Sequence, residues 1–128
     1  MEICVLNSGS NGNAIYLAAG DTRILIDAGI SLRMLRQRLK QIDRDVGELD
    51  AVLISHEHTD HCRGLPNLSR ARPELQLYAN EGTAGGVEVA LRATMPSPWN
   101  IFETGTDFTI GALHIQSFAV PHDSGDPV

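Results

Sequence analysis

The stretch Ala51-Val52-Leu53-Ile54-Ser55-His56-Glu57-His58-Thr59-Asp60-His61 decides how this chain is read. Its first four residues form a continuous apolar run, fit for a short strand buried on both faces. The run delivers the chain directly into three histidines and one aspartate within six residues. Imidazole nitrogen and carboxylate oxygen suit zinc, and manganese or iron are also accepted. If extended geometry persists past the strand, His56 and His58 project to the same side. Asp60 and His61 arrive as the chain begins to turn, so the four side chains can converge on one or two ions. A lone loop histidine is ordinarily a surface residue, which does not account for an internal, patterned cluster at a strand end. Glu57 and Thr59 alternate with the ligand positions and are expected to face elsewhere. A catalytic zinc site keeps a coordination position for water and lowers its pKa to about 7. The cluster therefore implies a metal-dependent hydrolase.

Working back from the loop, residues 3–6, 14–18 and 22–27 read as strands, the last two paired as a hairpin across Ala19-Gly20-Asp21. The tract Asn7-Ser8-Gly9-Ser10-Asn11-Gly12-Asn13 is all small and polar and reads as a loop. Asp27 closes the run Ile24-Leu25-Ile26, placing a carboxylate at a strand's C-terminal end. It is either a metal ligand or a group that orients an imidazole, against the plainer reading of a turn-capping carboxylate. Ser31 is a good N-cap for an amphipathic helix carrying Leu32, Leu35, Leu39 and Ile42 at helical spacing. Arg33, Arg36, Arg38, Lys40 and Arg44 lie between and after them, most simply as the solvated face of that helix, with phosphate binding as the lesser alternative. Residues 43–48 read as a polar connection.

Working forward, residues 65–71 can form a helix with Pro66 in its first turn. Residues 75–79 read as a strand, and Asn80 as the cap of a helix over 81–92 that Gly85-Gly86 weakens. Residues 99–102, 106–110 and 113–120 read as strands. His114 sits inside the last of these and is assigned a structural role. His122, in Pro121-His122-Asp123, follows an apolar strand and is the candidate third ligand beside His56 and His58. Cys62 follows the cluster directly. It is read as a helix residue packed beneath the loop rather than a metal-adjacent thiol, and Cys4 as a small buried hydrophobe.

The chain has 128 residues, 42% apolar and 20% charged, enough for one domain with a real core. No apolar run approaches the roughly 18 residues of a membrane span, so no membrane association is expected. Two distant cysteines indicate no disulfide framework, and cytoplasmic localisation is the expectation. The formal charge of −6 argues against non-specific nucleic-acid binding by the bare chain. That charge is uneven, since nothing after Arg92 is basic, and bound divalent ions would return positive charge.

The pattern His56-x-His58-x-Asp60-His61 after an apolar strand resembles the signature motif of the metallo-β-lactamase-like hydrolase superfamily. Asp27 resembles that family's first motif, and Val120-Pro121-His122-Asp123 its third. The opening tract Ser8 to Asn13 and the closing residues Pro121 to Val128 resemble one bacterial branch. That branch is associated with a cell-wall-regulating two-component system and includes proteins with DNA exonuclease activity. The resemblance implies an α+β fold, a four-layer αβ/βα sandwich with its site at one edge between two sheets. It implies that His56, His58 and His122 hold one metal, that Asp60 and His61 hold the second, and that Asp27 supports the loop from behind.

The family also carries a later bridging Asp and a still later His, neither of which occurs up to Val128. Residues 1–128 are therefore expected to be one domain of this type, incomplete at its C-terminus and corresponding to about its first half. One metal site would then be complete and the other half-built, with apolar sheet surface available for homo-oligomer formation. The leading expectation is hydrolysis of phosphodiesters in DNA or RNA, with Asp60 as the catalytic residue orienting hydroxide. One alternative is hydrolysis of a thioester, lactone or β-lactam by the same metals. The other is a non-catalytic metal-binding fragment of such an enzyme.

Overall fold

The computed structural model describes residues 1–120 and 127–128. A six-stranded sheet runs β1 (Glu2–Asn7), β2 (Ala14–Ala19), β3 (Thr22–Ile26), β4 (Ala51–Leu53), β5 (Gln76–Ala79), β6 (Trp99–Ile101), in spatial order β1-β2-β3-β4-β5-β6. The first three strands form an antiparallel meander. β3, β4, β5 and β6 are mutually parallel. Parallel neighbours need crossovers. These are supplied by α1 (Leu32–Gln41), by α2 (Thr59–Cys62) with α3 (Leu65–Ala71), and by α4 (Glu81–Leu91). All three β4 residues are buried, as expected for a strand covered on both sides.

Strand alternation sorts the side chains into two cores. Leu25, Val52, Ile54, Leu77 and Ala79 point toward the helices and meet Leu35, Leu39, Leu65, Leu68 and Val87. Ile24, Ala51 and Leu53 point the other way, toward Phe102, Ile110 and Leu113. The second cover is a separate antiparallel pair, β7 (Asp107–Ile110) and β8 (Leu113–Gln116). Ala112 N donates to Thr22 Oγ1 at 2.8 Å and pins this hairpin to the sheet. Phe108 stacks on Phe102 with ring centroids 4.7 Å apart, a contact worth about 1 kcal/mol beyond area burial. The described residues thus form a helix layer, the large sheet and a small sheet, in agreement with the expected α+β class. An apolar hollow of about 340 Å³ lies between the two sheets, lined by Ile24, Ile26, Leu53, Phe102, Ile115 and Phe118. Toward the β1 edge that face is open, and Ile3 and Val5 are 65% and 59% exposed.

Most expected elements are present. Ser31 caps α1, its Oγ accepting from Met34 N at 3.1 Å, and Asn80 caps α4, its Oδ1 accepting from Thr83 N at 2.9 Å. Three expectations need correction. Residues 43–48 are not a plain connection, because Val46–Glu48 form a 3₁₀ turn closed by a reciprocal Asp45/Glu48 capping box. The last strand ends at Gln116 rather than Val120, since among the described residues its pairing with β7 stops at Asp107 opposite Gln116. β4 stops at Leu53, so His56 and His58 do not continue a strand. Instead His58 is the extended N-cap residue of α2. No helix among the described residues is long and apolar enough to cross a membrane.

Candidate metal centre

The site stands where the parallel strands β3 and β4 end. Asp27, the residue after β3, has φ 65°, a left-handed conformation uncommon for a residue with a Cβ but tolerated by Asp. Its N–H donates to Leu53 O at 2.7 Å, tying the ends of β3 and β4 together. The turned backbone leaves the carboxylate, on a residue only 6% exposed, beneath the histidine loop. Ser55 N donates to Oδ1 at 2.8 Å. Ser55 Oγ lies 2.8 Å from Oδ2 and 3.0 Å from Oδ1. His61 Nδ1 lies 2.7 Å from Oδ2.

A carboxylate accepts and does not donate, which fixes the protons. His61 carries its proton on Nδ1 toward Asp27, and its lone pair falls on Nε2. Ser55 gives its one proton to Asp27, so Oγ accepts from His56 Nδ1, 3.0 Å away. The lone pair of His56 therefore also falls on Nε2. One carboxylate sets the tautomer of two imidazoles, one directly and one through Ser55. Such partners orient ligating histidines and raise their basicity. Burial by itself would lower the pKa of His61, but the Asp27 hydrogen bond and the charges of Asp27 and Asp60 outweigh it and the net direction is upward.

The rings of His56, His58 and His61 lie close together. His56 and His58 have centroids 5.0 Å apart, and His56 and His61 3.9 Å. His61 Nε2 is 3.7 Å from Asp60 Oδ2. Glu57 is turned away, its side chain lying against Gly86 of α4. Cys62 is fully buried, and its Sγ approaches Glu57 O and His58 O at 3.5 and 3.4 Å. Burial, then the charges of Asp27, Glu57 and Asp60, push its thiol up to about 12. It is a neutral packed residue, as expected. His114, assigned a structural role, lies in β8; its side chain is 61% exposed, with Nε2 3.4 Å from Asp107 Oδ2 across the β7–β8 pair.

Two residues of the site escaped the sequence reading. Ser55 is the link just described. Asn13, read only as part of a polar loop, approaches both Asp60 and His61. Its N–H donates to Asp60 O at 2.7 Å. Its Nδ2 lies 3.3 Å from Asp60 Oδ2 and 3.3 Å from His61 Nε2. Backbone also packs unusually close here. A Cβ on Gly29 would collide with Asp60 O, and one on Gly64 with Ile30 O. The loop is held rigidly by its surroundings, with Ala28 N donating to His61 O at 2.7 Å and Gly64 N to Ala28 O at 2.8 Å.

The donor chemistry suits a borderline divalent ion such as zinc. Among the described residues, however, no three His, Cys, Asp or Glu side chains form a group that could hold one by themselves. His122, the expected third ligand, lies outside the described residues.

Comparison with known proteins gives a consistent result. The sequence model of the β-lactamase superfamily domain matches residues 22–128. Exodeoxyribonuclease WalJ of Streptococcus pneumoniae serotype 2 (strain D39 / NCTC 7466) is 41% identical over 125 residues, covering 96% of this chain and 46% of the relative. Exodeoxyribonuclease YycJ of Bacillus anthracis is 34% identical over 128 residues, covering 100% of this chain and 48% of the relative. Among solved structures, a metallo-β-lactamase with an HARLDQ motif from Cronobacter sakazakii superposes with a TM-score of 0.77 at 16% identity, over 98% of this chain and 49% of the other. That likeness concerns the fold alone. The chain spans about half the length of the curated relatives it matches.

Proposed function

This chain belongs to the β-lactamase superfamily, and from that premise we propose that it carries the metal-binding half-site of a hydrolase acting on phosphodiester bonds of nucleic acid. The observation that supports this most is the single carboxylate of Asp27 setting the tautomers of His56, through Ser55, and His61 directly. A structural salt bridge needs no such relay; a pair of imidazoles that must present Nε2 to an ion does. In this reading His56, His58 and His122 hold one divalent ion, and Asp60 and His61 contribute to a second. Bound zinc, or manganese or iron in its place, supplies Lewis acidity that brings water's ionisation near neutral pH and offsets charge on the phosphate.

The chain's own residues do the positioning. Asp27 holds the loop from beneath and keeps the Nδ1 proton of His61 in place. Ser55 does the same for His56. Asn13 approaches Asp60 and His61 together, fixing the carboxylate that we assign to orienting the attacking water. The choice of phosphodiesters rests on the two relatives named as exodeoxyribonucleases.

Two measurements test the proposal. Equilibrium dialysis of the chain against zinc or manganese should show near-stoichiometric binding that His56→Ala and His58→Ala abolish. Wild-type binding in both variants would overturn the site. The protein translated from the complete reading frame should release nucleotides from end-labelled DNA or RNA with either metal. No release under either condition would overturn the nuclease reading while leaving the metal site standing.

A further inference from the structure

The helix layer beside the histidine loop is cationic in an otherwise acidic chain. Helix α1, Leu-Arg-Met-Leu-Arg-Gln-Arg-Leu-Lys-Gln, has four basic residues and no acid. Helix α3, which packs against it, also has no acid. Arg33, Arg36 and Lys40 are exposed and recur at i, i+3 and i+7, so they form one stripe along the helix. None of them makes an ion pair among the described residues, whereas Arg23, Arg44 and Arg72 are each paired with a glutamate. Arg63, also exposed, donates to carbonyls, Thr59 O at 3.3 Å and Ser10 O at 3.2 Å, and makes no ion pair among the described residues. The stripe starts beside the site: α1 begins three residues after Gly29, whose backbone abuts Asp60.

Of the acids near the far end, Asp43 is exposed just past the helix, and Glu2 and Asp45 are engaged. Glu2 binds Arg44, and Asp45 caps the 3₁₀ turn by accepting from Gly47 N at 2.7 Å. Arg36, Lys40 and Arg44 line one surface hollow of about 320 Å³ there. On the opposite side of α1, Leu35 and Leu39 are buried in the core. The exposed side offers no apolar face to a lipid surface beyond Met34 at 37% exposure.

We infer that the Arg33–Arg36–Lys40 stripe, with Arg63 at its site end, is a track for the phosphate backbone of a nucleic-acid strand leading to the histidine loop. Nucleic acid as the occupant rests on the proposed function; the cationic track itself does not. From Arg33 to Lys40 the helix rises about 10 Å, long enough to meet more than one phosphate of a strand.

Fluorescence anisotropy of a labelled single-stranded oligonucleotide, titrated with the full chain in EDTA at low salt, tests it. The variant Arg33→Gln/Arg36→Gln/Lys40→Gln should bind at least about tenfold more weakly, with its salt slope shallower by about 2. Arg92→Gln, at the residue just past the end of α4, should bind as wild type. The charge-preserving Arg33→Lys/Arg36→Lys/Lys40→Arg should retain affinity, which separates charge from folding. No binding by wild type, an unchanged triple Gln variant, or tighter binding to phosphatidylserine vesicles than to the oligonucleotide would each overturn the track. EDTA removes any ion, so binding is read there without turnover; track-dependent binding in EDTA, with no nucleotide release once zinc or manganese is supplied, would sink only the catalytic reading. Wild-type nucleotide release and binding by the triple Gln variant would sink only the track.

Discussion

The Nδ1 atom of His61 lies 2.7 Å from Oδ2 of Asp27, across 34 residues of sequence. The contact joins the end of β3 to the far end of the histidine loop, and the same carboxylate reaches His56 through Ser55.

Replacing that carboxylate should therefore loosen the ion more than it loosens the fold. Asp27→Ala should weaken zinc affinity by about 10- to 100-fold, the usual effect of losing a partner behind a ligating histidine. Ser55→Ala should lie between wild type and Asp27→Ala, because only His56 depends on it. Competition against a chromogenic chelator measures both. Equal affinity in all three proteins would show that the network is structural only.

The pH dependence of the metal-free chain follows from the raised pKa of His61. A raised folded value means that protonation favours the folded state. That stabilisation is fully present below the ordinary value of 6.5 and is lost as pH rises through the folded value. The urea midpoint of wild type should exceed that of Asp27→Asn by more at about pH 5.5 than at about pH 8.5. A gap that widens toward alkaline pH would contradict the assignment.

Two glycines, Gly85 and Gly29, should respond in opposite directions. A Cβ at Gly85 meets nothing within 4 Å, and the residue lies inside α4. Gly85→Ala should stabilise the chain by about 0.5–1 kcal/mol. Gly29→Ala drives a methyl group into the Asp60 carbonyl and should destabilise it by roughly 1–3 kcal/mol, with metal binding impaired as well. Chemical unfolding of the two variants against wild type decides both signs.

Thiol chemistry gives an independent check on the loop. Cys62 is fully buried and its thiol is pushed up to about 12, so it should resist a thiol reagent at about pH 8 until the chain unfolds. Cys4 is half-buried at the sheet edge and should react in the native state. Rapid native labelling of both would mean that the loop opens freely.

Much of the fold was legible because its signals are local. Ser31 and Asn80 announce helices by side-chain chemistry that acts over three residues. The run Ala51 to Ile54 announces a buried strand by composition. Asp45-Val46-Gly47-Glu48 carries capping-box spacing as well, but the apolar run that follows, Ala51 to Ile54, has strand character, so the spacing closes only a single 3₁₀ turn. The overextended last strand had a different cause. Phe118 and Val120 suit a strand, but a strand needs a partner, and pairing ends at Gln116. Within the site, the histidines and Asp27 stood out by type and spacing. Asn13 and Ser55 did not, because their roles arise from approaches across 47 and 28 residues that no local pattern encodes. The rings of His56 and His58 come together even though the strand they were expected to extend has already ended. Their convergence comes from the entry into α2 rather than from the pleat.

The left-handed backbone at Asp27 has an evolutionary consequence. At φ 65°, glycine would adopt this conformation with less strain, by about 1 kcal/mol. Against that gain stand the hydrogen bonds the carboxylate makes to Ser55 and His61, so Asp27→Gly trades a relaxed backbone for an unanchored loop. Backbone ease and an anchor beneath two imidazoles are alternatives at this one residue. A heat-challenge library scored for folding and a parallel library scored for metal retention should diverge most visibly at this residue.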